Sequence, residues 1–431
     1  MSSFLLKNIT IVDSKNCFNA NILIENDIIT SFDGKCADTV YDCTGLVAMA
    51  GLFDMHVHLR DPGFIQKEDI ITGCNSALAG GITGVAAMPN TKPVTDNAET
   101  VQYIIDKAKS TGVEVHPVGS ITKGLKGNEL CDFDSLKSAG VCAVSDDGRP
   151  VENAEMMRKA LVFAAKRNIP VISHCEDLSI INGGIINKGK MSEKLCVPGM
   201  DRASEDYITA REMILANSAD VPIHIAHVST KGSVDMIRFA KSKGVKVTCE
   251  TCPHYFLMTE DKTASMDADY RMNPPLRTEE DRIAVLEGII DGTIDCIVTD
   301  HAPHTPEEKS DFYNAPNGVI GMETSLAAVL TLYHDGKITL SDIARLMSER
   351  PREILSLPNV KISVGEKANI CIIDTNYKWT VDPMKLHSKA RNAVFKGVEF
   401  KGKPIMTILN GKIRYKDAEY NFAEPMNTSS K

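Results

Sequence analysis

The chain has 431 residues, 43% of them hydrophobic and 24% charged, which is typical of a globular protein with a large buried core. Its net charge of −9 and the lack of a long basic cluster argue against nucleic acid or an anionic membrane as the main partner. No apolar run could cross a bilayer, and the N-terminus lacks the basic start and long apolar stretch of a signal peptide.

Twelve cysteines in a chain without an export signal indicate reduced thiols in a cytoplasmic protein, rather than a disulfide framework. Cys249 and Cys252 form a Cys-x-x-Cys pair, but no second pair lies at zinc-finger spacing. The pair also lies along a predicted strand instead of at the turn that opens a helix. A structural zinc or redox role for it is therefore disfavoured.

Both ends of the chain are predicted to be rich in short β-strands. The N-terminal strands are Leu5–Val12, Ala20–Glu25, Ile28–Phe32 and Thr39–Asp42, and the C-terminal strands are Ala368–Asp374, Ala393–Phe395, Pro404–Leu409 and Lys412–Tyr415. Because neither end is long enough to fold alone, we expect residues 1–50 and 359–420 to form one small β-sandwich domain. Residues 421–431 are predicted to be a polar tail.

The middle of the chain, residues 51–358, repeats an apolar strand, a polar turn and a helical segment. The predicted strands are Leu46–His58, Ile82–Pro89, Val113–Ile121, Val141–Asp147, Pro170–His174, Pro222–Val228, Val245–Thr251 and Asp295–Asp300, with helices including Asn97–Ser110, Ala154–Arg167, Ser204–Ala216 and Lys231–Ser242. Eight strands alternating with helices indicate an α/β fold, a TIM-like (β/α)8 barrel. No glycine-rich dinucleotide or phosphate loop is present, which disfavours an open doubly wound sheet.

Polar residues interrupt the apolar pattern at the carboxyl ends of most of these strands, where barrels of this class carry their chemistry. They are His56, His58 and Arg60, then Asn90, Asp146 and Asp147, His174, His227, Asn273, Asp300 and His304. His56 and His58 share one face of an extended strand and can therefore bind one ion. Imidazoles and carboxylates on one rim match the ligand chemistry of zinc and similar divalent ions.

Each of these residues also has a structural interpretation. A lone His-x-His is a weak signal, His174 could cap its strand, and Asp146-Asp147-Gly148 is a common turn. His227 is expected to point inward with Ile223 and Ile225, whereas His224 is expected to face the helices. The combination favours a metal centre. In such a centre, an aspartate of the fourth strand would bridge two ions. Asp300 would take a proton from activated water and pass it to a leaving nitrogen.

The motifs resemble those of the amidohydrolase superfamily and, within it, the dihydroorotases. They are Phe53-Asp54-Met55-His56-Val57-His58-Leu59-Arg60-Asp61-Pro62-Gly63, Met88-Pro89-Asn90-Thr91, Ser145-Asp146-Asp147-Gly148, His174-Cys175-Glu176, His227-Val228-Ser229, Glu250-Thr251-Cys252-Pro253-His254-Tyr255, Met272-Asn273-Pro274-Pro275-Leu276-Arg277 and Thr299-Asp300-His301-Ala302-Pro303-His304. The resemblance runs nearly end to end. It implies reversible cyclisation of N-carbamoyl-L-aspartate to L-dihydroorotate in de novo pyrimidine (UMP) biosynthesis, with hydroxide as the nucleophile.

The resemblance also implies the metal ligands. His56, His58 and Asp300 would hold one ion, and His174 and His227 the second. Many relatives bridge the ions with a carboxylated lysine, but Val141–Pro150 contains no lysine. This chain resembles the branch with an aspartate there, and the spacing to His174 favours Asp147 over Asp146. Two zinc ions are favoured, although the substitution leaves a single ion open.

The substrate contacts follow from the same resemblance. Arg60 would bind the ring carboxylate together with Asn90 and His304, and His58 would contact the substrate as well as the metal. The amide edge of the ring would form hydrogen bonds with Asn273 and with the backbone at Asn317 and Gly318. The stretch 305–318, rich in Pro, Gly and charge, is typical of a mobile loop over a pocket.

Two alternatives remain open. The first is a dihydropyrimidinase, hydantoinase or allantoinase, whose substrates lack the ring carboxylate that Arg60 would bind. The second is a non-catalytic, dihydroorotase-like subunit that supports aspartate transcarbamoylase, although no metal ligand is missing from this chain. Aspartate transcarbamoylase and a second copy of the chain are therefore the candidate protein partners.

Overall fold

The computed structural model describes residues 3–422, and its strands form a barrel, a separate eight-stranded sheet and a small two-stranded sheet. The strands are β1 Ser3–Val12, β2 Cys17–Glu25, β3 Ile28–Ser31, β4 Thr39–Asp42, β5 Val47–Ala50, β6 Leu52–Val57, β7 Ile82–Ala87, β8 Glu114–Gly119, β9 Ala143–Val144, β10 Ile172–Ser173, β11 Ile186–Asn187, β12 Gly199–Met200, β13 Ile223–Ile225, β14 Val247–Thr251, β15 Cys296–Ile297, β16 Ile370–Thr380, β17 Glu399–Leu409 and β18 Lys412–Lys416.

The α-helices are α1 Ile70–Ala79, α2 Ala98–Ala108, α3 Phe133–Ala139, α4 Ala154–Ala165, α5 Leu178–Ile181, α6 Lys190–Leu195, α7 Ala203–Ala219, α8 Lys231–Ser242, α9 Pro253–Leu257, α10 Glu279–Ile290, α11 Ser325–His334, α12 Leu340–Ala344 and α13 Arg350–Ile354. The four helices predicted from the sequence are α2, α4, α7 and α8, and their bounds differ by at most three residues. Asn97, Asn153 and Thr230 begin three of them, because each side chain accepts a hydrogen bond from a backbone N–H of the first turn.

Eight strands close into a parallel barrel. β6, β7, β8 and β9 pair in that order, as do β10, β13, β14 and β15. A parallel bridge between Val144 and Val171 joins the two halves, and a bridge between Val57 and His301 closes the ring. The predicted (β/α)8 barrel is confirmed. The carboxyl ends of its strands consequently meet on one rim.

The two ends of the chain form one sheet with the strand order β18-β17-β16-β5-β1-β2-β3, and β4 also pairs with β1. The N-terminal strand β5 and the C-terminal strand β16 are antiparallel neighbours, with Ala50 opposite Ile370. Leu6, Ile22 and Ile372 contribute to an apolar core of this sheet, separate from the core of the barrel. The predicted β-rich unit made from both chain ends is confirmed. Its proposed domain boundaries remain a prediction.

Two predicted strands are wrong in detail. The stretch Leu46–His58 is two strands, because the chain passes from the terminal sheet into the barrel at Gly51. The predicted strand Ala393–Phe395 contributes only a single bridge from Ala393 to Ile320, and the ladder strand is β17 instead. Of the predicted tail, only Asn421 and Phe422 lie within the described residues.

Two further expectations concern the whole chain. Within residues 3–422 no helix is both long and apolar enough to span a membrane. Each of the twelve cysteines is a free thiol, and nine of them are buried. Cys249 and Cys252 are fully buried, and burial raises the pKa of both thiols, to about 12 for Cys249. Such thiols are poor ligands and poor nucleophiles.

Gly51, the link between the two sheets, allows a close approach between chain segments. Its N–H donates to Asn369 O at 2.9 Å, and its carbonyl accepts from Ser348 Oγ at 3.0 Å. A Cβ atom at this position would lie 2.1 Å from Thr83 Oγ1. We expect Gly51→Ala to lower the free energy of unfolding by about 1–3 kcal/mol through overpacking. The measurement is the urea midpoint of the purified protein.

Gly189→Ala is the matched control for Gly51→Ala. Gly189 has an extended backbone, and the nearest atoms to an added Cβ, those of the Glu260 carboxylate, would lie at 3.6 Å. This variant should therefore keep a midpoint close to that of the unmodified protein. Equal midpoints for the two variants would contradict the close approach at Gly51.

Candidate metal centre and substrate pocket

The centre of the barrel rim is the buried carboxylate of Asp147, which follows β9. Its Oδ1 lies 3.3 Å from His56 Nε2, 3.4 Å from His174 Nδ1 and 3.6 Å from His227 Nε2, and its Oδ2 lies 3.4 Å from His58 Nε2. Four imidazoles from the ends of three strands, β6, β10 and β13, therefore surround one carboxylate. Burial raises the pKa of Asp147, but the charge of His56 and the close approach of the imidazoles hold it well below its usual range.

Asp300, which follows β15, completes a second group of donors. Its Oδ1 lies 3.0 Å from His58 Nε2 and 3.7 Å from His56 Nε2. Donor atoms of His56, His58 and Asp300 lie within 4.8 Å of one another, as do those of His56, Asp147 and His227. Five of the six predicted ligands thus form two overlapping groups that share His56. The sixth, His174, lies beside them, with its Nδ1 3.4 Å from Asp147 Oδ1.

The donor atoms fit a divalent cation. His56 Nε2 and Asp147 Oδ1 are both buried, and neither has a hydrogen-bond partner within residues 3–422. Two ligands held about 2.0–2.1 Å from a tetrahedral zinc ion lie about 3.3 Å apart. This separation agrees with the spacing of 3.3–3.6 Å between the Asp147 oxygens and the four imidazole nitrogens. His56 Nε2 and Asp147 Oδ1 therefore have the spacing and the unused lone pairs that two ligands of one metal ion need.

Two glutamates that the sequence did not single out hold the imidazoles in place. Glu250 Oε1 lies 2.6 Å from His56 Nδ1, and Glu176 Oε2 lies 3.1 Å from His174 Nε2. Each contact fixes the proton on the ring nitrogen that faces the glutamate, which directs the other nitrogen, His56 Nε2 or His174 Nδ1, toward Asp147. His174 Nδ1 also lies 2.8 Å from His227 Nε2. An acid inside the apolar strand β14 was the available signal for Glu250, because buried carboxylates are rare without a partner.

The expected orientation of His224 is wrong. Its Nε2 contacts Glu250 Oε2 at 3.1 Å and its Nδ1 contacts Thr248 Oγ1 at 2.8 Å, so the ring points into the barrel. His227, three residues later, also reaches the interior because its backbone has a left-handed φ of 32°. This conformation breaks the alternation of strand residues on which the expectation relied. His224 is a partner of Glu250 and thereby supports His56.

The structure separates the two neighbouring aspartates. Asp146 Oδ1 accepts hydrogen bonds from the backbone N–H groups of Ile121 at 2.7 Å and Thr122 at 3.0 Å. These contacts tie the fourth barrel strand to the end of the third. Asp147 faces the imidazoles instead. The geometry therefore favours Asp147 as the bridging candidate, as the spacing to His174 had suggested.

The predicted carboxylate-binding residues lie next to the donor cluster. Arg60 is partly buried against Pro303 O, to which its Nε donates at 3.2 Å, and its Nη2 lies 3.4 Å from His304 Nε2. Burial lowers the pKa of Arg60 to about 10, while the charges of Asp300 and Asp147 act in the opposite direction. A guanidinium so placed carries its charge at any physiological pH.

Asn90 and His304 are already engaged by other residues. Asn90 Oδ1 lies 2.8 Å from His58 Nδ1, which leaves the amide NH2 group as the donor of that side chain. His304 Nε2 lies 2.9 Å from Asn317 O, and its Nδ1 lies 3.3 Å from Lys67 Nζ. Burial and the charges of Arg60 and Lys67 lower the pKa of His304 to about 3. A neutral His304 therefore holds the 305–318 loop in addition to facing Arg60.

Two cations anchor the 305–318 loop. Lys309 Nζ donates to Arg271 O at 3.1 Å, Pro316 O at 3.0 Å and Gly318 O at 3.0 Å, and Arg271 Nη1 donates to Phe312 O at 2.6 Å. Gly318 has a φ of 139°, and a Cβ there would lie 2.8 Å from Ala302. The backbone of Asn317 and Gly318 is therefore held closely against the end of the eighth strand.

Comparisons with known proteins agree with this geometry. The family model described as "Dihydro-orotase-like" matches residues 45–233. The chain is 50% identical over 403 residues to a dihydroorotase of Geobacter metallireducens, covering 92% of this chain and 95% of that protein. It is 45% identical over 418 residues to a dihydroorotase of Acetivibrio thermocellus, covering 95% and 98% of the two chains.

The solved structures that resemble the chain support the fold. An L-hydantoinase (dihydropyrimidinase) from Arthrobacter aurescens superposes with a TM-score of 0.86 at 24% identity, covering 99% of this chain and 98% of that one. A dihydropyrimidinase from Brevibacillus agri gives a TM-score of 0.82 at 20% identity, covering 97% and 96%. At 20–24% identity these structures support only the fold. The family follows from the sequence relatives, which are 45–50% identical over most of the chain. The chain belongs to the dihydroorotase family of the amidohydrolase superfamily and is an enzyme of the cyclic amide hydrolase class.

Proposed function

We propose that the protein is a zinc-dependent dihydroorotase that interconverts N-carbamoyl-L-aspartate and L-dihydroorotate plus water, a step of de novo pyrimidine (UMP) biosynthesis. The observation that carries this proposal is the guanidinium of Arg60, which is partly buried beside a cluster of imidazoles and carboxylates. The mixed nitrogen and oxygen donor set supports zinc. Two overlapping groups of ligands that share His56, together with Asp147 between all four imidazoles, support two ions per chain.

The substrate would be oriented by its charge. Arg60 can bind the ring carboxylate through two parallel N–H bonds, and the NH2 group of Asn90 can donate to the same carboxylate. Asn273 and the backbone at Asn317 and Gly318 then face the amide edge of the ring. This arrangement would place the scissile amide over the donor cluster, with its ring nitrogen toward Asp300.

The reaction then needs an activated water and a proton carrier. Bound zinc supplies Lewis acidity, which lowers the pKa of a water and polarises the scissile carbonyl. Asp300 accepts the proton of the attacking water and delivers it to the departing ring nitrogen, so that the amide opens to the carbamoyl acid. Its position 3.0 Å from His58 Nε2 keeps the Asp300 carboxylate at the cluster during this transfer. In the reverse direction the same proton returns to water as the ring closes.

The alternatives lack support from this pocket. A hydantoinase, dihydropyrimidinase or allantoinase acting on a carboxylate-free ring would give the partly buried charge of Arg60 no substrate carboxylate to bind, which is unfavourable. A non-catalytic subunit would not need the six candidate ligands that converge here. Free thiols throughout the chain support the cytoplasm as its compartment.

The first experiment measures ring opening of L-dihydroorotate by the purified chain, together with the zinc content of the same sample. We expect turnover with two zinc ions per chain, loss of activity after chelation, and recovery when zinc is restored. Zinc-loaded protein that leaves dihydroorotate intact, alone and with an added aspartate transcarbamoylase, would refute the proposal. Activity that appears only with the added partner would show that the chain works within a complex.

Asp300→Asn tests the proton carrier. Asparagine tolerates the left-handed φ of 48° at this position and keeps the shape of the side chain, but it cannot accept the proton. We expect kcat to fall by about 10²–10⁴-fold, the usual contribution of general acid–base catalysis, with an unchanged melting temperature. Zinc content is measured in parallel, because Asp300 is also a candidate ligand. Asp311→Asn, an exposed carboxylate of the neighbouring loop, is the control, and a kcat within tenfold of the unmodified protein would exclude this role.

Arg60→Gln tests the choice of substrate. It removes the partner of the ring carboxylate, so kcat/KM for dihydroorotate should fall by about 10²-fold or more, as expected for the loss of a buried charged hydrogen bond. Turnover of dihydrouracil, the same ring without the carboxylate, should change by less than about fivefold. Arg158→Gln, which removes an exposed guanidinium on α4, should leave the ratio of the two rates unchanged. Equal losses on both substrates for Arg60→Gln would show that Arg60 does not select the carboxylate.

A further inference from the structure

Glu176 connects the metal centre to the substrate pocket. It follows β10 by three residues and is 6% exposed. One carboxylate oxygen, Oε2, lies 3.1 Å from His174 Nε2, and the other, Oε1, accepts a hydrogen bond from Asn273 Nδ2 at 2.9 Å. One side chain therefore contacts both a candidate metal ligand and a candidate substrate contact.

The charge of Glu176 determines how Asn273 is oriented. An ionised carboxylate accepts hydrogen bonds and donates none, so the amide of Asn273 must present its NH2 group to Glu176. The carbonyl oxygen, Oδ1, then points the other way. The backbone on the far side of Asn273 is also held, because the buried Tyr255 hydroxyl donates to Pro274 O at 2.6 Å. An amide flip would place two acceptors against each other in a partly buried site, which is unfavourable.

We propose that Glu176 is a positioning residue that turns the Asn273 carbonyl toward the pocket, so that the site requires a substrate with an N–H donor on its amide edge. This inference deepens the proposed function and rests on it. A ring N–H of a cyclic ureide satisfies the Oδ1 acceptor. A ring that is N-methylated at the same edge leaves Oδ1 unpaired and also places a methyl group against it.

The same contact has a consequence for selectivity. A site that hydrogen-bonds a substrate N–H rejects the analogue that lacks it much more strongly than an apolar pocket rejects a missing methylene. This discrimination requires that the Asn273 side-chain amide cannot exchange the positions of its carbonyl oxygen and its NH2 group. If Glu176 is replaced by glutamine, either end of the Asn273 amide can pair with the new side chain. The pocket can then present a donor as well as an acceptor, and the discrimination should weaken.

The test compares the unmodified protein, Glu176→Gln, Asn273→Ala and the double variant. Initial rates are measured on dihydroorotate and on its two ring N-methyl derivatives at saturating zinc. Dissociation constants for orotate and its N-methyl derivatives are measured by calorimetry, which does not depend on turnover. We expect Glu176→Gln to raise KM for dihydroorotate by about tenfold, corresponding to the loss of one well-placed buried hydrogen bond. The discrimination against one N-methyl derivative should fall by a similar factor in both measurements.

The double variant separates positioning from general damage. If Glu176 acts through Asn273, Glu176→Gln should change KM by less than about threefold in a protein that already carries Asn273→Ala. Glu250→Gln is the matched control, because Glu250 supports His56 as Glu176 supports His174, whereas within residues 3–422 the Asn273 amide donates to Glu176 and not to Glu250. Its effect should combine additively with that of Asn273→Ala.

Several outcomes would overturn the inference. Additive effects of Glu176→Gln and Asn273→Ala would show that the two side chains act separately, and unchanged discrimination would show that the amide is oriented by other groups. The same comparison is run on dihydrouracil and hydantoin with their N-methyl derivatives. Activity on these rings but not on dihydroorotate would refute the proposed function while still testing Glu176. A protein inactive on every ring and without affinity for orotate would refute both.

Discussion

A buried carboxylate surrounded by four imidazoles is the arrangement on which the rest of the site depends. Packing several imidazoles into a buried barrel rim is unfavourable unless an anion or a cation compensates their lone pairs and protons. Asp147 supplies a negative charge within 3.6 Å of His56, His58, His174 and His227. The acceptors that remain unpaired, His56 Nε2 and Asp147 Oδ1, are those that a cation would satisfy. The cluster is therefore preorganised for metal and would be less stable without it.

The ring of polar residues at the strand ends could be predicted because a barrel brings those ends together regardless of the loops between them. His56, His174 and Asp300 are far apart in the chain, yet the repeat of strand and helix was sufficient to place them on one rim. The supporting contacts could not be predicted in this way. The pairing of His56 with Glu250 spans 194 residues and depends on which face of β14 is turned inward. His224 was misplaced for the same reason, since the left-handed backbone of His227 breaks the alternation of faces.

The substrate half of the pocket is built differently from the metal half. Its groups come from loops, and they are held by backbone carbonyls and buried cations instead of by strand pairing. Lys309 and Arg271 bind carbonyls of the 305–318 segment, and His304 binds the carbonyl of Asn317. Burial lowers the pKa of Lys309 to about 7, and its ammonium group donates to three backbone carbonyls. A sequence rich in Pro, Gly and charge indicated a mobile loop. Composition cannot show that a lysine of the loop itself caps three of its neighbouring carbonyls.

The pairing of β5 with β16 has a consequence for synthesis of the chain. β5 is complete at residue 50, but its partner begins only at residue 370, roughly 320 residues later. At 5–20 residues per second the ribosome needs about 20–60 s to deliver that partner. Throughout this interval β5 presents an unpaired hydrophobic edge, the kind of edge that promotes association with other chains. In the nascent protein the barrel can therefore close before the N-terminal sheet is complete, because that sheet still lacks β16, β17 and β18. Chaperone demand and losses to aggregation should be concentrated in that interval.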